Sequence, residues 1–246
     1  MFIEKLNLTD NPEVTLTAYV CEPSPEMPNM NVRPAMLVLP GGAYRFCSDR
    51  EAEPVALEYI AKGFNAFVLR YSLNENAAFP QPLNDAVAAL KLIRANAEKW
   101  YIDPEKVAAI GFSAGGHLCA ALSTMGEEKP NACVLGYPCI LDYMSKLLPA
   151  PIPSLDDKIS SETPPTFIFA ASDDGAVPLD NSLKYALGLD KNKIPYELHI
   201  FQKGNHGFST GTSVVVADPK NQEICKPAVY WVQRSIDWLY DIFNKE

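Results

Sequence analysis

The chain has 246 residues, 48% of them hydrophobic, and a formal net charge of −9 at pH 7. That is long enough for one α/β domain with a large core, and the acidic balance disfavours nucleic acid and anionic membranes as partners. No apolar run approaches membrane-spanning length, and the start, Met1-Phe2-Ile3-Glu4-Lys5, lacks the basic-then-apolar pattern of a signal peptide, so the expected location is cytoplasmic.

In chain order, residues 3–8 and 14–20 flank Thr9-Asp10-Asn11-Pro12, a turn-forming cluster, and predict an antiparallel hairpin. A proline-rich stretch leads to a first central strand at 35–39, which stops at Pro40-Gly41-Gly42-Ala43-Tyr44. Two adjacent glycines after a strand offer N–H groups unobstructed by side chains, as an oxyanion hole requires. A helix is predicted over about 53–62 with Gly63 as its C-cap, then a strand at 65–71 and an amphipathic helix over 81–100.

The next strand ends in Val107-Ala108-Ala109-Ile110-Gly111-Phe112-Ser113-Ala114-Gly115-Gly116-His117-Leu118. A β-branched and apolar run reaches a glycine, after which alanine and leucine recur at helical spacing, so the pattern is strand, corner, helix. Gly111-Phe112-Ser113-Ala114-Gly115 fits G-x-S-x-G, in which a strained turn leaves no room for a Cβ beside the serine and pushes its oxygen clear of the backbone. The helix that follows points its first N–H groups at whatever that oxygen attacks.

Residues 132–137 form another predicted strand. Between Pro138 and Pro165 lies a proline-rich segment without firm periodicity, too short for a second domain and expected to be a small cap over Ser113. A strand at 166–171 precedes Asp173-Asp174-Gly175-Ala176-Val177-Pro178. Helix 179–189, strand 196–201, the loop Gly204-Asn205-His206-Gly207-Phe208 and a helix over about 223–243 complete the chain. Strands alternating with helices mean a single domain over 1–246, a mostly parallel sheet with helices on both faces, and ligands beyond the carboxyl ends of the strands.

A serine hydroxyl needs a base to take its proton, and the base needs an acid to orient it. The chain has three histidines. His117 lies a turn into the elbow helix and is expected to be packed. His199 sits within a regular strand. His206, on a loop after the last strand, is left as the base. Asp173 and Asp174 both suit the order Ser…Asp…His, and the residues alone do not separate them.

From the first hairpin to the last helix the chain resembles the α/β-hydrolase superfamily, in its esterase and acetyl-xylan-esterase-like branch. Pro40-Gly41-Gly42-Ala43-Tyr44 resembles the H-G-G-G oxyanion motif with proline for the histidine. Asp174-Gly175-Ala176-Val177-Pro178 matches D-x-x-V-P, and Gly204-Asn205-His206-Gly207 matches G-x-H-G. The resemblance implies Ser113 as nucleophile, His206 as base and Asp174 as acid, with Gly42 or Ala43 and Ala114 as oxyanion donors. Tyr44 either edges the pocket, as a candidate substrate-binding residue, or packs on its loop.

The implied activity is hydrolysis of short acyl esters by a serine carboxylesterase, with acetyl groups on sugars or xylo-oligosaccharides as the favoured substrates. An oligopeptidase or aminoacyl-peptidase shares this elbow but is usually accompanied by a large accessory domain, and a non-catalytic binder on the same scaffold is the remaining alternative. No cofactor and no metal are expected: there is no H-E-x-x-H, no P-loop and no G-x-G-x-x-G, and the pairs Asp156-Asp157 and Asp173-Asp174 lack an EF-hand frame. Six cysteines without C-x-x-C spacing predict reduced thiols, Cys47 among them as a structural residue. The partner is a small-molecule ester; the sequence leaves open whether the chain is a monomer or a homo-oligomer.

Overall fold

A computed structural model describes residues 1–216, 218 and 226–244. Strands β1 (Phe2–Asn7) and β2 (Thr15–Val20) pair antiparallel, closed by a turn in which Asn11 Oδ1 accepts the Glu13 N–H at 3.0 Å. β2 then pairs antiparallel with β4 (Asn65–Arg70). The rest of the sheet is parallel: β3 (Arg33–Leu39), β5 (Ile102–Phe112), β6 (Ala132–Gly136), β7 (Thr166–Ala171) and β8 (Tyr196–Phe201) complete an eight-stranded sheet ordered β1-β2-β4-β3-β5-β6-β7-β8.

Each central strand feeds both faces, because successive side chains point opposite ways. Ala35, Leu37 and Leu39 of β3 enter one core, with residues of α2 (Gln81–Ala95), α3 (Ser113–Met125) and α4 (Asp180–Lys191). Met36 and Val38 enter the other, against α1 (Glu53–Ile60) and α5 (Trp231–Phe243). Burial on both faces explains why these strands read as unbroken apolar runs rather than alternating ones.

Some boundaries differ from the expectations. α2 stops at Ala95 rather than 100: the Asn96 side chain donates back to the Leu92 carbonyl at 2.9 Å, and Tyr101 takes φ 50°. The turns between them bury Trp100 against Phe67, ring centroids 5.0 Å apart. The last helix begins at Trp231, after a 3₁₀ turn at Lys226–Tyr230, while the expected start at Glu223 lies outside the described residues. Between Pro138 and Pro165 the regular element is a 3₁₀ helix, Asp142–Leu147, and Met144, Ile152, Leu155 and Ile159 anchor the segment to the core. Among the described residues no helix is long and apolar enough to cross a membrane.

Candidate active site

The parallel strands deliver their following loops to one edge of the sheet. β3 leads to Gly41 and Gly42, β5 to Ser113, β7 to Asp173 and Asp174, and β8 to His206. The sharpest corner is at Ser113, between extended Phe112 and α3, where φ is 52°. Such a value strains a residue with a side chain and marks a built feature. Its neighbours must be glycine: a Cβ on Gly111 would lie 2.1 Å from the Gly115 carbonyl oxygen, and one on Gly115 would lie 2.2 Å from that of Leu39.

The corner aims Ser113 Oγ at His206 Nε2, 2.9 Å away, while His206 Nδ1 stands 2.7 Å from Asp174 Oδ2. A carboxylate only accepts, so Nδ1 carries the proton and Nε2 is left to accept from the serine hydroxyl. Asp174 is fixed from its other side, Oδ1 accepting the Ala176 and Val177 N–H groups at 2.9 Å each. Its side chain is 2% exposed and that of His206 23%, so the acid is sealed while the base meets the pocket. Asp173 points elsewhere: its Oδ1 accepts the N–H groups of Gly204 at 3.0 Å and Asn205 at 2.9 Å, bracing the loop that presents His206.

A cavity of about 260 Å³ opens beside Ser113 and His206. Gly42 and Ala43, at φ 126° and 55°, line it. Ala114 lies in the first turn of α3, where N–H groups lack intrahelical acceptors. Met144, Leu147 and Leu148 of the 138–165 segment form an apolar wall with Ala176 and Val177; Ser48 and Arg50 lie among the remaining lining residues.

Tyr44 does not edge this cavity. Its left-handed backbone (φ 57°) turns the side chain inward, where it is 2% exposed and its hydroxyl lies 2.9 Å from His117 Nδ1. His117 Nε2 faces the Pro153 carbonyl at 3.0 Å, so Nε2 bears the proton and Nδ1 accepts from Tyr44. Burial drives the His117 pKa down to about 4, with the Pro153 bond opposing. His117 is thus a packed, neutral residue, as its place one turn into α3 implied. His199 lies 2.9 Å from Glu197 and stacks on Phe167, away from the cavity.

Two pocket residues escaped the sequence reading. Cys139 lines the cavity, and its N–H donates to the Ser113 carbonyl at 3.0 Å; burial pushes its thiol up to about 12. Cys47 is likewise raised to about 11 by burial, which keeps it an unreactive thiol. Cys119 and Cys133 are free thiols with sulfurs 3.3 Å apart, and Cys225 lies outside the described residues. The second missed residue is Glu51, 3% exposed, whose Oε2 accepts the Gly41 N–H at 2.9 Å and Oε1 the Tyr137 hydroxyl at 2.7 Å. A single glutamate at the end of a polar run carries no local signal of burial. Among the described residues no group of three or more His, Cys, Asp or Glu side chains is arranged to hold a metal ion.

Residues 24–135 match the BD-FAE family, and residues 150–221 the prolyl oligopeptidase family. Endo-1,4-beta-xylanase B of Butyrivibrio fibrisolvens is 35% identical over 72% of this chain and 33% of its own length. An acetylxylan esterase of Xylanibacter ruminicola is 30% identical over 84% of this chain and 46% of its own. This chain therefore spans between a third and half of the length of these two relatives. The crystal structure of MGS-M1, an α/β-hydrolase enzyme from a Medee basin deep-sea metagenome library, superposes with a TM-score of 0.94 at 46% identity, covering 100% of this chain and 99% of that one. With that likeness end to end, the chain belongs to the α/β-hydrolase family.

Proposed function

We propose that this chain is a carboxylesterase that removes short acyl groups, acetyl foremost, from sugars or xylo-oligosaccharides. The observation that carries the reading is the line Ser113 Oγ–His206 Nε2 at 2.9 Å and His206 Nδ1–Asp174 Oδ2 at 2.7 Å. Ser113 Oγ attacks the ester carbonyl as His206 takes its proton, and Asp174 holds the imidazole in the required tautomer and stabilises its charged form. The carbonyl oxygen becomes an oxyanion received by the Ala114 N–H and that of Gly42 or Ala43, each worth roughly 3 kcal/mol of barrier. His206 then returns the proton to the leaving alcohol. Water, activated by the same imidazole, releases the acid from Ser113.

The acyl preference is supported by the small cavity and its wall of Met144, Leu147 and Leu148 from the 138–165 segment. The sugar preference is supported by the likeness to an acetylxylan esterase and to a xylanase. A second reading, a peptidase acting on acylated amino acids, is favoured by the match of residues 150–221 to the prolyl oligopeptidase family. The same chemistry would then act on an amide, whose leaving amine needs proton delivery before the bond breaks.

The test is hydrolysis of acetylated xylose and p-nitrophenyl acetate beside an acetyl-alanine anilide, by the wild type and Ser113→Ala. Ester turnover that falls by roughly 10⁴ or more in the variant is expected. Retention of over about one per cent of kcat in Ser113→Ala would overturn the nucleophile, and faster anilide than ester cleavage would favour the peptidase.

A further inference from the structure

We propose that Glu51 is a positioning residue for this reaction: its carboxylate ties the oxyanion loop at Gly41 to Tyr137 and, through Tyr137, to the loop that carries His206. The inference rests on the esterase reading above.

Glu51 ends the 3₁₀ turn Asp49–Glu51, and both of its oxygens are engaged. Oε2 receives the Gly41 N–H at 2.9 Å, immediately before Gly42 and Ala43. The fit is tight, since a Cβ on Gly41 would lie 2.6 Å from that same oxygen. Oε1 receives the Tyr137 hydroxyl at 2.7 Å, and this hydroxyl in turn accepts the Ser209 N–H at 3.0 Å. The Tyr137 ring meets the His206 ring edge-on at 5.1 Å and packs on Phe208 at 4.8 Å. Ser209 is held from two further sides, its hydroxyl donating to the Arg50 carbonyl and its own carbonyl accepting from Trp231 Nε1 at 2.8 Å.

The Gly41 and Tyr137 loops thus meet on one carboxylate, and the Ser209 loop joins them through the Tyr137 hydroxyl. Every donor in this run of hydrogen bonds is matched by an acceptor, and the two Glu51 oxygens supply two of them. Burial pushes the Glu51 carboxyl upward, opposed by the bonds from Tyr137 and Gly41 and by the charges of His206 and Arg50. A buried carboxylate is expensive unless fully bonded, so a site that needed only packing would be better served by an apolar side chain. What the carboxylate adds is geometry. Gly42 and Ala43 directly follow one of its partners and the His206 ring rests on the other, and misplacement of such groups by about 1 Å can slow a reaction by roughly 10²-fold.

The experiment measures kcat, KM and thermal unfolding for wild type, Ser113→Ala, Glu51→Gln, Tyr137→Phe and the double variant with p-nitrophenyl acetate, together with inhibition by phenylboronic acid. Glu51→Gln and Tyr137→Phe are each expected to lower kcat by roughly 10- to 100-fold with KM within about threefold, and to weaken boronate inhibition in proportion. The double variant should be no worse than the poorer single one, because both break one link. Tyr137→Phe keeps the ring against His206 and carries the test if Glu51→Gln fails to fold. Folded variants with kcat within about threefold of wild type, losses confined to KM, or additive losses overturn the proposal. An active Ser113→Ala would instead sink the esterase reading itself, whereas an inactive Ser113→Ala beside fully active Glu51 and Tyr137 variants removes only the positioning role.

Discussion

Asp174 Oδ2 lies 2.7 Å from His206 Nδ1, while the adjacent Asp173 accepts the Gly204 and Asn205 N–H groups through Oδ1. Two neighbouring carboxylates therefore serve one histidine differently, one through its ring and one through its backbone. Asp174→Asn is expected to lower kcat by roughly 10⁴-fold, because an amide in that place no longer holds the imidazole in the accepting tautomer. Asp173→Asn keeps an acceptor oxygen for the two N–H groups and should lower kcat by less than about tenfold. Steady-state kinetics of the two purified variants decide it, and equal or reversed losses would overturn Asp174 as the acid.

Acyl length gives a second expectation. Each CH₂ that could be buried would gain about 0.8 kcal/mol, so an open apolar site favours octanoyl over acetyl esters. Met144, Leu147 and Leu148 wall a cavity of about 260 Å³, and acetyl esters should have the higher kcat/KM. A p-nitrophenyl ester series measures the order, and rates that climb steadily to octanoyl would refute a short acyl site.

Gly115 permits no side chain. A Cβ there would lie 2.2 Å from the Leu39 carbonyl oxygen and 2.3 Å from that of Pro40, both backbone atoms that cannot step aside. Gly115→Ala should destabilise the fold by about 3 kcal/mol and displace Ser113. Denaturant unfolding reads the first effect and ester hydrolysis the second; a variant of wild-type stability would show that the elbow has more slack than its contacts allow.

His117 should make stability depend on pH. Its folded value, about 4, lies below the ordinary 6.5 because it is buried, so the unfolded chain takes up a proton that the folded chain refuses. The stability it contributes is complete above 6.5 and falls as pH drops from 6.5 toward 4, by roughly 3 kcal/mol in all. His117→Gln removes the titration and should flatten this interval. Urea unfolding of both proteins at pH 7 and pH 4.5 is the check, and an unchanged difference in the variant would put the acid sensitivity elsewhere.

The fold was legible in the sequence because its signals are local. Apolar runs of strand length alternate with helical spacing, and a strand that must turn into a helix around an exposed serine leaves glycines on both sides of Ser113. The same locality marked His206, on a loop between Asn205 and Gly207, and the carboxyl ends of the strands as the meeting place. Physical reading of the residues left Asp173 and Asp174 level, since neighbours in a turn point in different directions and only the surrounding N–H groups select between them. The residues likewise left Tyr44 between the pocket edge and its loop, because its backbone angle, invisible in a residue list, decides where its ring goes. Cys139 and Glu51 reached the site through contacts between segments remote in the chain, the Glu51–Tyr137 bond spanning 86 positions and the Ser113–His206 contact 93. Local chemistry determined where the chain bends and which side chains can react. The packing of the loops around 40–51, 137–139 and 204–209 against one another decided which of those side chains meet, because no short-range preference encodes a contact between distant segments.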